Sequence, residues 1–145
     1  MTATFDLNRF VEAQDGVYPG VLAELAGGRK RSHWMWFIFP QVTGLGFSAM
    51  SQRYAIGSRE EAEAYLAHPL LGPRLLECTG LVLAVKDRTI NGIMGSPDDV
   101  KLRSSMTLFA AVSDNPVFDR TLAKYFGGER DRATLDILAR LDQRP

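Results

Sequence analysis

His33 opens a dense aromatic run, His33-Trp34-Met35-Trp36-Phe37-Ile38-Phe39-Pro40-Gln41, and is one of two histidines in the chain. An imidazole titrates near neutrality and either ring nitrogen can address a ligand, so His33 qualifies as an acid or a base. Trp34 and Trp36 are the only tryptophans, and their faces can stack on a planar ligand. Gln41 follows Pro40, whose fixed backbone presents its carboxamide, a donor and acceptor that match the edge of a nucleobase or a nicotinamide. Just upstream, Arg29, Lys30 and Arg31 form a basic cluster suited to a phosphate, together with the amides near Ser32.

Two further groups carry charge or rings. Arg53 and Tyr54 sit in a glycine-interrupted link and offer an anion donor beside a stacking ring. Ser96, Asp98, Asp99, Lys101 and Arg103 form a mixed cluster in which Asp98 or Asp99 can orient water and Lys101 can hold an anion. Each group also has an ordinary structural use. Tryptophans fill cores, Asp99 can cap a helix, and a basic triplet is commonly a solvated turn. Cys78 lies on an apolar stripe with no neighbouring histidine, which makes it a buried thiol rather than a nucleophile.

The elements that must position these residues read as helices. Leu7, Phe10, Val11 and Gln14 recur at helical spacing after a capping Asp6, and Val21, Leu22 and Leu25 lead to an exit at Gly27-Gly28. Ser58-Arg59-Glu60-Glu61 has capping-box order, and His68-Pro69 closes that helix. Leu71, Leu75, Cys78, Val82 and Val85 mark the strongest core stripe. After a turn-rich link containing Asn91-Gly92, Ser96-Pro97-Asp98-Asp99 predicts another capped start. Asn115-Pro116 and Asp131 open the last two helices, the first closing at Gly127-Gly128. The expectation is a mainly α, non-bundle fold of about six or seven short helices, in a single domain over residues 1–145. Trp36–Phe39 is a candidate short strand. That matters because Trp34 and Trp36, two apart, share a side only if the segment is extended.

Seventeen basic and seventeen acidic side chains cancel, so no basic face predicts nucleic-acid affinity. The opening residues lack a basic segment followed by a long apolar one, and no apolar run reaches spanning length, so a cytoplasmic protein without a membrane partner is expected. One cysteine allows no internal disulfide, and no Cys/His spacing suggests zinc. Phosphate-loop, dinucleotide-fingerprint, HExxH and nucleophile-elbow patterns are absent, and no cofactor is implied.

The order of landmarks resembles a known family. Gly28 through Gln41, Gly44-Leu45-Gly46, Tyr54-Ala55-Ile56, Glu61-Ala62, Tyr65-Leu66, His68-Pro69, Leu71-Gly72 and Arg74-Leu75 are similar to the bacterial family known as domain of unknown function 1810. The resemblance continues through Lys101, Ser105-Met106-Thr107-Leu108-Phe109, Phe126-Gly127-Gly128 and Thr134-Leu135. It implies a compact, predominantly helical fold of the kind first seen in a small mycobacterial hypothetical protein, and no established activity. A second, partial resemblance links Asp99-Val100-Lys101, Met106, Phe118, Leu122 and the terminal helix to N-glycosidases associated with NAD and ADP-ribose. It implies a phosphoribosyl-linked substrate, although the early glutamate-bearing motif of those enzymes has no counterpart in residues 33–41.

Three functions therefore stay open. The first is binding of a small polar or nucleotide-like ligand through Trp34, Trp36, Gln41, Arg53, Tyr54 and Lys101. The second is hydrolysis of a ribosyl-phosphate or ADP-ribose-like substrate with Asp98, Asp99 and His33 as catalytic groups. The third is an interaction module, whose partner is another protein or a second copy of the chain.

Overall fold

In the computed structural model, which describes residues 5–143, ten helices form among those residues. They are α1 (Asn8–Gln14), α2 (Tyr18–Ala26), α3 (Met35–Ile38), α4 (Ala49–Arg53), α5 (Arg59–Ala67), α6 (Leu71–Ala84), α7 (Ile90–Met94), α8 (Asp98–Val112), α9 (Pro116–Phe126) and α10 (Arg132–Asp142). This corrects the expected six or seven helices in a non-bundle arrangement, because α8 packs on α5, α7, α9 and α10 while α6 packs on α2, α5 and α9. The three unexpected helices are α3, α4 and α7, of four, five and five residues. One turn or little more shows no 3.6-residue repeat to a periodicity reading. The opening Met1–Thr4 lies outside the described residues.

The aromatic run illustrates the correction. Trp34 C=O accepts from the amides of Phe37 and Ile38, and Phe39 N–H donates to Met35, so residues 35–38 wind into α3 rather than extend. Pro40 then stops it. The extended element lies just beyond, as an isolated parallel bridge between Val42 and Ile56. There Thr43 N–H donates to Ile56 C=O and Ile56 N–H donates to Gln41 C=O.

Several start signals act as their spacing predicts. Ser58 accepts from the Glu61 amide at 3.0 Å, and the Glu61 carboxylate reaches back one residue further than expected, to Gly57 N–H at 2.7 Å. Asn115 caps α9 through Val117 N–H, Gly127 closes it in the left-handed region, and Asp131 caps α10 through Thr134 N–H. Two signals fail. Leu7, not Asp6, precedes α1, and Pro97 stands at the α8 N-cap with no side-chain cap from Ser96. Short α7 instead takes its cap from Thr89, whose hydroxyl accepts from Gly92 N–H.

A chain of rings runs through the core. Phe10 meets Tyr65 edge-on at 5.1 Å, Tyr65 meets Phe109 at 5.6 Å, and Phe109 stacks on Phe118 at 5.8 Å. Residues Ser104 to Phe109 of α8 are all buried. Around this core, buried Gln14 donates to Phe37 C=O at 2.8 Å and accepts from Arg74, which fixes the end of the aromatic run against α1 and α6. No helix among the described residues is long and apolar enough to cross a membrane.

Candidate functional site

The start of the aromatic run is held by a residue that sequence reasoning passed over. Glu24, on α2, accepts from Arg31 N–H at 2.7 Å, Ser32 N–H at 2.9 Å, the Ser32 hydroxyl at 2.7 Å and the Trp34 indole at 3.1 Å. Burial raises its carboxyl, but those donors outweigh burial and bring it from 4.5 down to about 2. The amides offered by the sequence as a phosphate cradle are thus already occupied by an internal carboxylate. Nothing in the local sequence signals this, since Glu24 lies seven and eight residues before its amide partners.

The winding of α3 sends the two tryptophans apart, because two residues on a helix differ by about 200°. Trp34 is 2% exposed, with its indole on Glu24. Trp36 is only partly buried, and Lys101 Nζ lies 4.9 Å from its ring centroid. A carboxylate joins the two sides. Asp98 holds Lys30 at 2.9 Å and Lys101 at 3.7 Å, and Lys30 lies 4.8 Å from the Trp34 ring. Lys30 also donates to Ser32 C=O. The basic triplet therefore spends its middle cation inside the fold. Asp99 accepts from Asn91 at 3.2 Å and from the Val100 amide at 2.9 Å.

Two cavities flank the run, and its ends face different ones. His33 and Trp34 line a cavity of about 260 Å³ together with Glu24, Val21 and Phe37. Gln41 lines a larger cleft of about 370 Å³, whose wall is residues 41–47 with Ser51, Gln52 and Ala55. A crevice of about 10 Å³ between Trp36 and Tyr54 shares Gln41, Ser51 and Ala55 with that cleft. The structure thus brings together Trp36, Gln41 and Tyr54, with Lys101 over the Trp36 ring. It does not bring His33 to them. Asp98, Asp99, Lys101 and Arg53 line neither cavity. Arg53 is exposed, with its guanidinium 5.6 Å from the Tyr54 ring and its carbonyl accepting from Arg9 at 2.8 Å.

The cleft is rich in donors that the fold leaves free. Among the described residues, the amides of Gly44, Leu45, Gly46 and Phe47 have no protein acceptor, and the Gln41 carboxamide makes no hydrogen bond. Gly44 holds φ +93, which an L side chain rarely adopts, so the turn of this wall depends on glycine. Gln52 braces the loop by donating to Phe47 C=O at 3.0 Å, and Ser48 caps α4 by accepting from Ser51 N–H at 3.1 Å. Phe47 itself stands 87% exposed at the cleft wall. Trp36 Nε1 is buried with no partner. The glycines at 44 and 46 were the sequence signal for this wall, whereas the free indole was visible only once α3 had formed.

Residues 4–138 match the family described as Protein of unknown function (DUF1810). The fold is similar to the crystal structure of the conserved hypothetical protein Rv1873 from Mycobacterium tuberculosis, with a TM-score of 0.92 and 61% identity over 93% of this chain and 97% of that one. No curated protein matches the chain. These matches establish no kinship to the N-glycosidases.

Proposed function

The chain belongs to the DUF1810 family, and from its geometry we propose that it binds a small polar ligand in the cleft walled by residues 41–47. The observation that carries this reading is that one concavity of about 370 Å³ is lined by residues 44–47, whose amides have no protein acceptor, and by Gln41, whose carboxamide makes no hydrogen bond. A consecutive set of amides without protein acceptors beside a cavity is suited to an acceptor-bearing ligand. Phe47 adds an exposed ring on which a planar group can stack.

Binding without turnover is favoured over hydrolysis. Asp98 is committed to Lys30 and Lys101, Asp99 to Asn91 and its own helix start, and no carboxylate lines the cleft. A general acid or base needs hydrogen-bond reach of the reacting group.

Thermal-shift measurements with nucleosides, nucleotides and ADP-ribose test the proposal, using the wild type, Gln41→Ala, Phe47→Ala and His33→Ala. A ligand at 100 times its Kd stabilises by about 2.7 kcal/mol, enough for a clear rise in Tm. The rise should vanish in Gln41→Ala and persist in His33→Ala. Loss in His33→Ala alone would move the site to the cavity beside Glu24, and no rise with any probe would sink the ligand reading.

A further inference from the structure

The cleft and the crevice beneath it share Gln41, Ser51 and Ala55, and no Asp, Glu, Lys, Arg or His lines either one. Cations stand close by without lining either, and Arg9 donates to Ala55 C=O at 2.8 Å while pairing with Glu61. Lys101 lies on the Trp36 ring and pairs with Asp98, and Arg53 lies over Tyr54. With no lining cation, a ring carbonyl has donors enough, whereas a phosphate would have only the loop amides to meet its charge.

Size sharpens the point. The crevice holds about 10 Å³, room for one water-sized atom and too little for a phosphoryl group. Trp36 lines it, and the indole N–H of that residue is buried without an acceptor. Orphaned donors of this kind cost free energy until an acceptor arrives. A ring carbonyl oxygen is the right size and polarity, and its ring would lie in the wider cleft between the Gln41 carboxamide and Phe47.

Building on the binding reading above, we infer that the cleft takes a neutral, planar, carbonyl-bearing heterocycle of the nucleobase class, whose ring carbonyl accepts from Trp36 Nε1. Phosphate groups on such a ligand remain outside the cleft and add little affinity.

Nitrogen-15 NMR of the wild-type protein tests this without a variant, because the chain has two indole N–H groups and that of Trp34 is already bonded to Glu24. Uridine and inosine, which carry ring carbonyls, should move the Trp36 indole resonance and bind at least about tenfold more tightly than adenosine, which has none. Uridine 5′-monophosphate should match uridine within a few-fold, and inorganic phosphate should not compete. Trp36→Phe removes the donor together with part of the ring that Lys101 covers, and should weaken uridine about tenfold in a protein that still melts cooperatively.

A monophosphate binding more than tenfold tighter than its nucleoside, with the gain lost in Gln41→Ala, would keep the cleft as the site and overturn this ligand class. So would an unmoved Trp36 resonance under saturating uridine. If none of these probes binds, the binding reading itself falls.

Discussion

Glu24→Gln isolates the carboxylate that ties α2 to the start of the aromatic run. Four donors converge on it, from Arg31, Ser32 twice and Trp34. Burial alone would raise the carboxyl, yet those bonds bring it from 4.5 to about 2. At 1.36 kcal/mol per pH unit, that drop corresponds to about 3 kcal/mol, and solvent screening at this partly exposed position reduces it to about 1–2 kcal/mol. A carboxyl depressed in the folded state stabilises above its unfolded value near 4.5 and stops doing so as pH falls towards 2. Urea denaturation followed by tryptophan fluorescence should therefore place Glu24→Gln about 1–2 kcal/mol below the wild type at pH 7. The gap should hold down to about pH 5, lose roughly half or more by pH 3, and close near pH 2. Equal stability at neutral pH, or a gap indifferent to pH, would refute the assignment of Glu24 as the anionic anchor of this turn.

Three other perturbations probe the frame around the site. A Cβ on Gly72 would lie 2.0 Å from the Leu66 carbonyl oxygen, so Gly72→Ala should cost about 2–4 kcal/mol in denaturant melts. Gly80→Ala, on the same helix with nothing within 4 Å, should instead be neutral or stabilising by up to about 1 kcal/mol, and equal effects at the two positions would contradict the packing described. Asp98→Asn leaves Lys30, whose side chain is 7% exposed, without its anion, and a loss of about 1–3 kcal/mol is expected by thermal denaturation. An unchanged Tm would make the bridge between Lys30 and Lys101 incidental. Cys78 is fully buried, and burial, only partly offset by its contact with the Tyr18 hydroxyl, pushes its thiol up to about 12. Ellman's reagent should react in the native state no faster than the protein unfolds, and rapid labelling at pH 8 would show that α6 opens locally.

Much of the frame was legible because its determinants are local. Ser58, Asn115 and Asp131 accept from amides two or three residues downstream in the helices they cap, and the Leu71–Val82 stripe needs only helical spacing to be recognised. The short helices were not. Residues 35–38 wind without a side-chain cap because Met35, Phe37 and Ile38 pack into the core, and residues 49–53 and 90–94 are single turns capped by Ser48 and Thr89, none with a period of its own. Asp6 and Ser96 carried the right residue types for caps, but the chain enters α1 and α8 through Leu7 and Pro97.

The site was legible in part for the same reason. Its residue types stood out, yet their grouping depended on the conformation of four residues. An extended run would have set Trp34 and Trp36 side by side, leaving His33 and Gln41 as two ends of one wall. The α3 turn rotates Trp34 onto Glu24 and Trp36 towards Gln41 and Tyr54, and so divides the run between two cavities. It also buries the Trp36 indole where the fold supplies no acceptor. A winding that costs an unpaired donor persists only if the surrounding packing holds it, and here Met35, Phe37, Ile38 and Phe39 are all buried around it. The aromatic run therefore serves as core on the side of Met35 and Phe37–Phe39. The Trp36 indole nitrogen, buried without a protein partner, belongs to a side chain that lines the crevice sharing Gln41 with the glycine-walled cleft, and there a ligand has something to gain.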